Sequence, residues 1–434
     1  MNKKRERTPN VDGTTGVETQ PPVVGVPKTW LAALAVLLVV PWVVAGLLYL
    51  RESRPDAREP SVASPAATVS GAPASAGPWG RLTVTPIIVS PPVEYIAADW
   101  GRLAGVTSWF FPGASMEQVE SLLSSSGLAA DDVSRLRAAA RPEPRIAGVV
   151  VAPDAELIRR LSPEVRGRIY GELGKSPLNF DQANSFRFLG DSNHAWLGGS
   201  LISPETRRVV EPLIYRQGAF LHFADAEAVR SQVSDPVELR RLAKTLLRQS
   251  TVLVRLHVDD ASQVDDLSEY WGRGGRRIDL RPLLESVVEA GPTAELDVVH
   301  LLPTFARNHL YRYPRLTTAD LDKPVLANCL WTALNFFRAE PDARFLDVNV
   351  ALTSLRQDHF IVEQSFQLGD IVAFLDEEGD LFHVAVYLAD DLLFSKNGTS
   401  PMAPWTIMST AQLKDYYRQR SGNPRLIYHR RNDL

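Results

Sequence analysis

Cysteine is almost absent from this chain of 434 residues, which contains only Cys329. A single thiol excludes an internal disulfide framework and a Cys-x-x-Cys metal site. Basic residues are not in excess either, because the formal net charge is −4. Nothing in the composition therefore indicates a nucleic-acid partner. No segment repeats with a fixed period. From these absences we expect neither a metal nor a cofactor.

Charge is absent from residues 29–50, a run long enough to cross the hydrocarbon core of a bilayer, which takes about 20 apolar residues. Five Lys and Arg residues precede the run, which favours a cytoplasmic N-terminus. We expect a cytoplasmic disordered tail at 1–28, a transmembrane helix at 29–50, and a single-pass membrane protein whose bulk is periplasmic or extracellular. The alternative is a cleaved signal peptide, whose apolar run is shorter, about 7–15 residues.

Proline, alanine and serine dominate residues 51–80, a composition that cannot bury a core and predicts an extended linker. Residues 81–312 then predict a mixed α/β domain to which the sequence assigns no function. Ser115 followed three residues later by Gln118 predicts a helix that begins with a capping box. Further helices are predicted where a capping residue precedes a proline, at Pro163, Pro204 and Pro236.

The last quarter of the chain predicts one helix and several strands, and the fold class predicted for the whole chain is α+β. The helix covers 328–337 and begins beside Cys329. Three strands follow, at 369–374, 383–388 and 392–398. His383 opens the second strand. Ser395 and Asn397 share one face of the third strand, because side chains alternate and these positions differ by two.

This order of residues suits the chemistry of a thiolate. A helix N-terminus lowers the pKa of a thiol, and an imidazole can take its proton. We therefore expect Cys329 to be a nucleophile with a lowered pKa and His383 to be its base. Ser395 or Asn397 would orient the imidazole. The alternative is a structural cysteine, since an unpaired Cys is among the most buried residue types and apolar residues follow this one.

Three motifs in this region resemble the NlpC/P60 cell-wall peptidases, a branch of the papain-like cysteine hydrolases. They are Asn328-Cys329-Leu330-Trp331, Gly369-Asp370-Ile371-Val372-Ala373-Phe374 and His383-Val384-Ala385-Val386-Tyr387. The resemblance implies a papain-like domain at 313–434, in which the cysteine helix packs on an antiparallel sheet. It implies Cys329 as nucleophile and His383 as base, with Tyr313 and Asn328 lining the substrate site. The implied substrates are peptidoglycan stem peptides.

Two functions stay open at this point. The first is a membrane-anchored, envelope-facing cysteine peptidase or amidase, in which the backbone N–H of Cys329 stabilises the oxyanion. The second is an envelope scaffold or binding protein whose papain-like module has lost its chemistry. The joint presence of Cys329 and His383 favours the first. The second is favoured by the residues after Cys329, which depart from the family's Ser-Gly, and by Ser395 or Asn397 in place of the family's third His.

Overall fold

The computed structural model describes residues 76–92, 96, 108–291, 293–314, 327–400 and 402–434. Within these ranges the chain is a mixed α/β structure whose named strands all pair antiparallel. The strands are β1 (Arg81–Val89), β2 (Trp109–Phe111), β3 (Ala140–Glu143), β4 (Gly148–Val151), β5 (Phe186–Leu189), β6 (Tyr215–Gln217), β7 (Phe220–Phe223), β8 (Gln249–His257), β9 (Glu295–Asp297), β10 (His359–Val362), β11 (Ile371–Leu375), β12 (Leu381–Ala389), β13 (Leu392–Lys396), β14 (Trp405–Ser409) and β15 (Arg425–Arg431). The α-helices are α1 (Met116–Ser125), α2 (Ala130–Ala139), α3 (Ala155–Arg160), α4 (Pro163–Leu173), α5 (Phe180–Ala183), α6 (Asn193–Leu197), α7 (Pro204–Val210), α8 (Ala226–Arg230), α9 (Pro236–Leu246), α10 (Val264–Trp271), α11 (Arg277–Ala290), α12 (Thr304–His309), α13 (Cys329–Leu334), α14 (Val348–Gln357) and α15 (Thr410–Tyr416).

The fold class predicted from the sequence is wrong in its membrane part. It included a transmembrane helix, whereas none of the helices in the ranges given above is long and apolar enough to cross a membrane. The longest of those helices, α11, has 14 residues, and a crossing takes about 20. The predicted span at 29–50 and its flanking segments at 1–28 and 51–75 lie outside the described residues.

Local signals in the middle region correctly predicted the starts of four of its helices. Ser115 and Gln118 form a complete capping box at the start of α1. Helices α4, α7 and α9 begin at Pro163, Pro204 and Pro236, each after a side-chain cap. These predictions are confirmed because each rests on a hydrogen bond between residues two or three positions apart, which distant parts of the chain do not alter.

The described chain has three hydrophobic cores, of which two are large. One is confined to the middle region, where the small sheets β2-β4-β3 and β5-β7-β6 pack with α1, α4 and α9 around Trp109, Tyr170 and Trp196. The other joins the β1–β8 pair, α10 and α11 to α13 and the C-terminal sheet. This second core is continuous across residues 312 and 313, where the sequence analysis placed a domain boundary.

The C-terminal sheet has six strands in the order β10-β15-β11-β12-β13-β14. Side chains alternate along β12. Val384 and Val386 pack in the core that contains α13, and we call their side of the sheet the helix face. Ala385 and Tyr387 pack on the other side with Leu413 of α15, and we call that side the far face. The sheet therefore carries helices on both sides.

A Gly-Asp pair fixes the start of β11. Gly369 has φ +91°, and a Cβ at this position would lie 2.0 Å from a ring carbon of Phe337, so a larger residue would be strained and would clash. The buried carboxylate of Asp370 accepts hydrogen bonds from Arg430 at 2.9 and 2.7 Å and from the backbone N–H of Gln367 at 2.8 Å. These contacts tie β11 to β15 and hold the sheet beneath the cysteine helix.

Candidate active site

Cys329 is the first residue of α13. The preceding residue, Asn328, is the N-cap, and its Oδ1 accepts the backbone N–H of Trp331 at 2.9 Å. The helix ends at Leu334, three residues earlier than the sequence pattern predicts. The side chain of Asn335 explains the early end, because its Nδ2 donates to the Trp331 carbonyl at 2.9 Å while its Oδ1 accepts a backbone N–H from the following loop.

Cys329 is partly buried and packs against the apolar residues of the helix face. Burial raises the pKa of the Cys329 thiol, and this outweighs the backbone N–H groups of Val384, Leu330 and Cys329, which favour the thiolate. The lowered pKa predicted from the sequence is therefore wrong for this structure. The sequence argument counted the helix N-terminus but not the apolar residues of the helix face, and desolvation acts in the opposite direction.

The imidazole of His383 has one defined tautomer. Its Nε2 lies 2.9 Å from Oγ of Ser395, and the Ser395 hydroxyl donates to Oδ1 of Asn397 at 2.9 Å. A hydroxyl has only one hydrogen, so Oγ must accept from the ring, and Nε2 carries the ring proton. Nδ1 is then the bare nitrogen. It is buried and has no hydrogen-bond partner among the described residues.

Ser395 and Asn397 belong to one chain of hydrogen bonds that begins at the His383 ring. Nδ2 of Asn397 donates to Sδ of Met408 at 3.2 Å, which leaves Oδ1 facing Ser395. The sequence analysis kept Ser395 and Asn397 as alternatives for the group that orients the imidazole. In the structure Ser395 contacts the ring and Asn397 stands behind Ser395, so both take part in holding one ring orientation.

The thiol and the imidazole lie on different sides of the sheet. The ring of His383 packs against Phe374 and Tyr417 on the far face, with centroid distances of 5.5 and 4.4 Å. Cys329 packs against the core on the helix face, and its sulfur is close to the backbone N–H of Val384, the residue after His383. The two groups are thus neighbours through the backbone of β12.

The thiol of Cys329 and the imidazole of His383 both lie beside the same interruption of the pairing between β12 and β13. The ladder between β12 and β13 leaves residues 383–385 and 395–397 unpaired, and we call this stretch the β12–β13 gap. The N–H of Tyr387 donates to Asp370 on the β11 side at 2.8 Å. Because N–H directions alternate along a strand, that of Val384 points into the gap, where it meets the sulfur. Within the described chain no hydrogen bond joins the sulfur to the bare ring nitrogen.

Burial also determines the charge of the imidazole. It lowers the pKa of His383 to about 3, so the ring is neutral at any ordinary working pH. A neutral ring can accept a proton during a reaction, but it cannot supply the positive charge that stabilises a thiolate before the reaction. The resting pair is therefore a thiol and an imidazole, and not an ion pair.

Two neighbours of this site were not predicted from the sequence. The fully buried Lys396 favours the Cys329 thiolate by its charge, and the ring of Tyr417 covers the imidazole. Lys396 lies between Ser395 and Asn397, so strand alternation could have placed it on the face opposite to theirs. No local pattern around Tyr417 distinguishes it from an ordinary residue after a helix.

The remaining predicted site residues have structural contacts. Asn328 caps α13. Within the described residues it makes no hydrogen bond with the imidazole of His383. The Tyr313 hydroxyl lies 2.8 Å from the carbonyl of Leu247 and 3.3 Å from that of Val89, which secures the ends of α9 and β1. Through these contacts Tyr313 binds the ends of β1 and α9, and it does not line the β12–β13 gap.

In the part of the chain that the structure describes, no group of three or more His, Cys, Asp or Glu could hold a metal ion. Comparison of the chain with known families, curated proteins and solved structures gives no match. The likeness to the NlpC/P60 peptidases is thus carried by the three motifs of this sequence alone.

Proposed function

We propose that this chain is a cysteine hydrolase that cleaves an amide bond, with Cys329 as nucleophile and His383 as base. The observation that carries the proposal is the bare Nδ1 of His383. A buried acceptor without a partner costs about 1–3 kcal/mol, and such a group in a native structure calls for an explanation, of which a catalytic role is one. Here Ser395 fixes the tautomer that leaves Nδ1 free, and a thiol lies at the same gap.

The chemistry follows from these positions. The reaction requires that substrate binding bring the thiol and Nδ1 of His383, which lie on opposite faces of β12 in this structure, to the same carbonyl. The thiol proton passes to Nδ1 while Sγ of Cys329 bonds to the carbonyl carbon, and the carbonyl oxygen takes the negative charge. The C–N bond then breaks, and the proton on Nδ1 passes to the leaving amine. Water, activated by the same nitrogen, releases the acid from the thioester and restores the thiol.

The substrate class is a peptide amide. This part of the proposal comes from the resemblance to the NlpC/P60 peptidases, whose substrates are peptidoglycan stem peptides. The proposal does not include a charged side chain that binds one end of the peptide.

The second candidate is a binding module without catalysis. It is favoured by the raised pKa of the Cys329 thiol, by the position of the neutral His383 on the opposite face of the sheet, and by the lack of a hydrogen bond between the described thiol and imidazole. A buried cysteine in this setting packs as a small apolar side chain. The two candidates differ in whether any reaction depends on the sulfur.

Cleavage of peptidoglycan distinguishes them. The full chain is incubated with purified peptidoglycan and with soluble stem peptides, and the new amino termini are measured by mass spectrometry. We expect release by the wild type and a loss of at least ~100-fold in Cys329→Ala and His383→Gln. His194→Gln, at an exposed histidine, serves as the matched control and should equal the wild type. Release that persists in Cys329→Ala contradicts the proposal, and no release from any of these substrates favours the binding module.

A further inference from the structure

Lys396 is the most unusual charged residue near the site. It is the last residue of β13, and its side chain has no solvent exposure. Leu392 and Phe394, four and two positions earlier on the same strand, pack in the core on the helix face. Strand alternation therefore places the Lys396 side chain on the side of the sheet that α13 covers, together with Cys329. Lysine is almost never fully buried unless it is paired.

Its amine is held in one position. Nζ of Lys396 donates to the carbonyl oxygens of Gly398 at 3.0 Å and Ser400 at 2.9 Å. It also lies 5.5 Å from the centre of the Trp405 ring, whose Nε1 donates to Oγ1 of Thr332 on α13 at 3.0 Å. The two carbonyls use both hydrogens of a neutral amine, and the remaining corner of the nitrogen holds a lone pair or a third proton. The loop after β13 and the cysteine helix thus fix this amine together.

The charges of Lys396 and Cys329 act on each other. Burial lowers the pKa of Lys396 to about 7, and a negative charge on Cys329 raises it. In return, Lys396 lowers the pKa of the Cys329 thiol against the effect of burial. Three described titratable groups near the pair are uncharged at neutral pH: burial lowers the pKa of His383 and of His309, whose ring meets that of Trp405 edge-on, and raises that of Tyr417.

We propose that Lys396 is the cation that stabilises the Cys329 thiolate and so sets the pH at which the cysteine becomes reactive. The contribution of Lys396 to catalysis rests on the proposed hydrolase function, whereas the charge coupling between Lys396 and Cys329 does not. No bond forms to Lys396, and its ammonium only stabilises negative charge on Sγ. It is a positioning residue that acts through the sulfur. The neutral imidazole of His383 cannot take this role, because it carries no positive charge.

Alkylation of the full chain measures this coupling directly, because the chain has a single thiol. The rate of Cys329 modification by iodoacetamide is followed by mass spectrometry from pH 5.5 to 10. We expect Lys396→Met to slow alkylation at pH 7 by ~10-fold and to move the profile up by about one pH unit. Lys396→Arg, which keeps the charge, should restore much of the rate. Lys175→Met, at an exposed lysine of the middle region, is the matched control for loss of one positive charge.

A wild-type profile in a folded Lys396→Met variant overturns the proposal. Since loss of the two carbonyl contacts could unfold this variant, a reciprocal measurement decides independently. In chain labelled with ¹³C-lysine, the Lys396 resonance is titrated in the wild type and in Cys329→Ala. We expect its midpoint to fall when the sulfur is removed, because linkage is mutual. An unchanged midpoint also overturns the proposal.

The hydrolase proposal and the Lys396 proposal can fail separately. If the hydrolase proposal is wrong, no cleavage depends on Cys329, yet the alkylation profile and the lysine titration still show the coupling. If the Lys396 proposal is wrong, the folded Lys396→Met variant cleaves with the pH profile of the wild type. A profile of kcat/KM against pH in that variant therefore separates a role through the sulfur from a merely structural role.

Discussion

Oγ of Ser395 lies 2.9 Å from Nε2 of His383 and accepts its proton, because the single hydrogen of that hydroxyl is committed to Asn397. One hydrogen bond on β13 thereby decides which nitrogen of the imidazole is the base. Nδ1 carries no proton and accepts no hydrogen bond from any described group. In a neutral imidazole this assignment matters, since only one nitrogen can take a proton.

Removal of that acceptor should affect both rate and stability. In Ser395→Ala the buried Nε2–H loses its partner, so we expect the free energy of unfolding to fall by about 1–3 kcal/mol. The ring also loses its tautomer preference, so kcat for peptide cleavage should fall by ~10–100-fold with little change in KM. Urea unfolding and steady-state cleavage measure the two effects. Ser134→Ala, at an exposed hydroxyl of α2, is the control, and equal rates in the two variants would remove Ser395 from the site.

Stability should depend on the protonation of His383 below neutral pH. Burial lowers the pKa of His383 to about 3 in the folded chain, while an unfolded histidine has a pKa of about 6.5. The unfolded state therefore binds a proton that the folded state does not, and stability is lost as the pH falls below about 6.5. Between pH 7 and pH 5 the loss from this residue should be about 2 kcal/mol.

Paired unfolding curves at pH 7 and pH 5 isolate this contribution from that of other buried groups. The destabilisation between the two values should be smaller by about 2 kcal/mol in His383→Gln than in the wild type. In His194→Gln, at an exposed site, it should be unchanged. If His383→Gln loses as much stability as the wild type on acidification, the imidazole is charged or exposed in the folded chain.

Two glycines with similar backbone angles should respond differently to alanine. Gly369 has φ +91°, and a Cβ would lie 2.0 Å from the Phe337 ring, whereas Gly398 has φ +87° and no atom of the described residues within 4 Å of its Cβ position. Backbone strain costs about 1–2 kcal/mol in both cases. The displaced ring adds a packing cost of about 1–3 kcal/mol only in Gly369→Ala. Thermal unfolding should show the larger loss for Gly369→Ala, and equal losses would contradict this account of the start of β11.

Cys329 in the resting chain should react slowly. Burial raises the pKa of its thiol, so alkylation by iodoacetamide at pH 7 should be slower than that of a free cysteine and should accelerate in urea. Because no other thiol is present, loss of one free thiol reports this residue alone. Fast alkylation of the folded chain below pH 7 would mean that the sulfur is open to solvent and already ionised.

Sequence reasoning succeeded where a few neighbouring residues decide the outcome. The caps before Pro163 and Pro204, the start of α13 at Cys329 and the strand that opens near His383 all follow from local hydrogen bonds and from side-chain alternation. It failed for the thiol pKa, because the apolar surroundings of Cys329 come from segments far away along the chain. Desolvation depends on tertiary packing, which no local pattern contains.

The hydrogen bonds of Ser395 and Asn397 and the burial of Lys396 show the same limit of sequence reasoning. Ser395 and Asn397 were predicted as alternatives, since strand parity gives their common face but not their mutual hydrogen bond. Lys396 was missed because a lysine on a strand normally reaches solvent, and its burial is created by α13 and Trp405. The tautomer of His383 could not be predicted from the sequence, since it depends on the direction of one hydroxyl.

The most direct test of the central claim is to trap the acyl-enzyme. The full chain is mixed with stem peptide and quenched in acid, and the intact mass and the Cys329 peptide are then analysed by mass spectrometry. The account predicts a thioester on Cys329 in the wild type and none in Cys329→Ala. In His383→Gln the thioester should form at least ~100-fold more slowly, while in His194→Gln it should form at the wild-type rate. Cleaved peptide without any adduct on Cys329, or an adduct whose rate is indifferent to His383, would contradict the account.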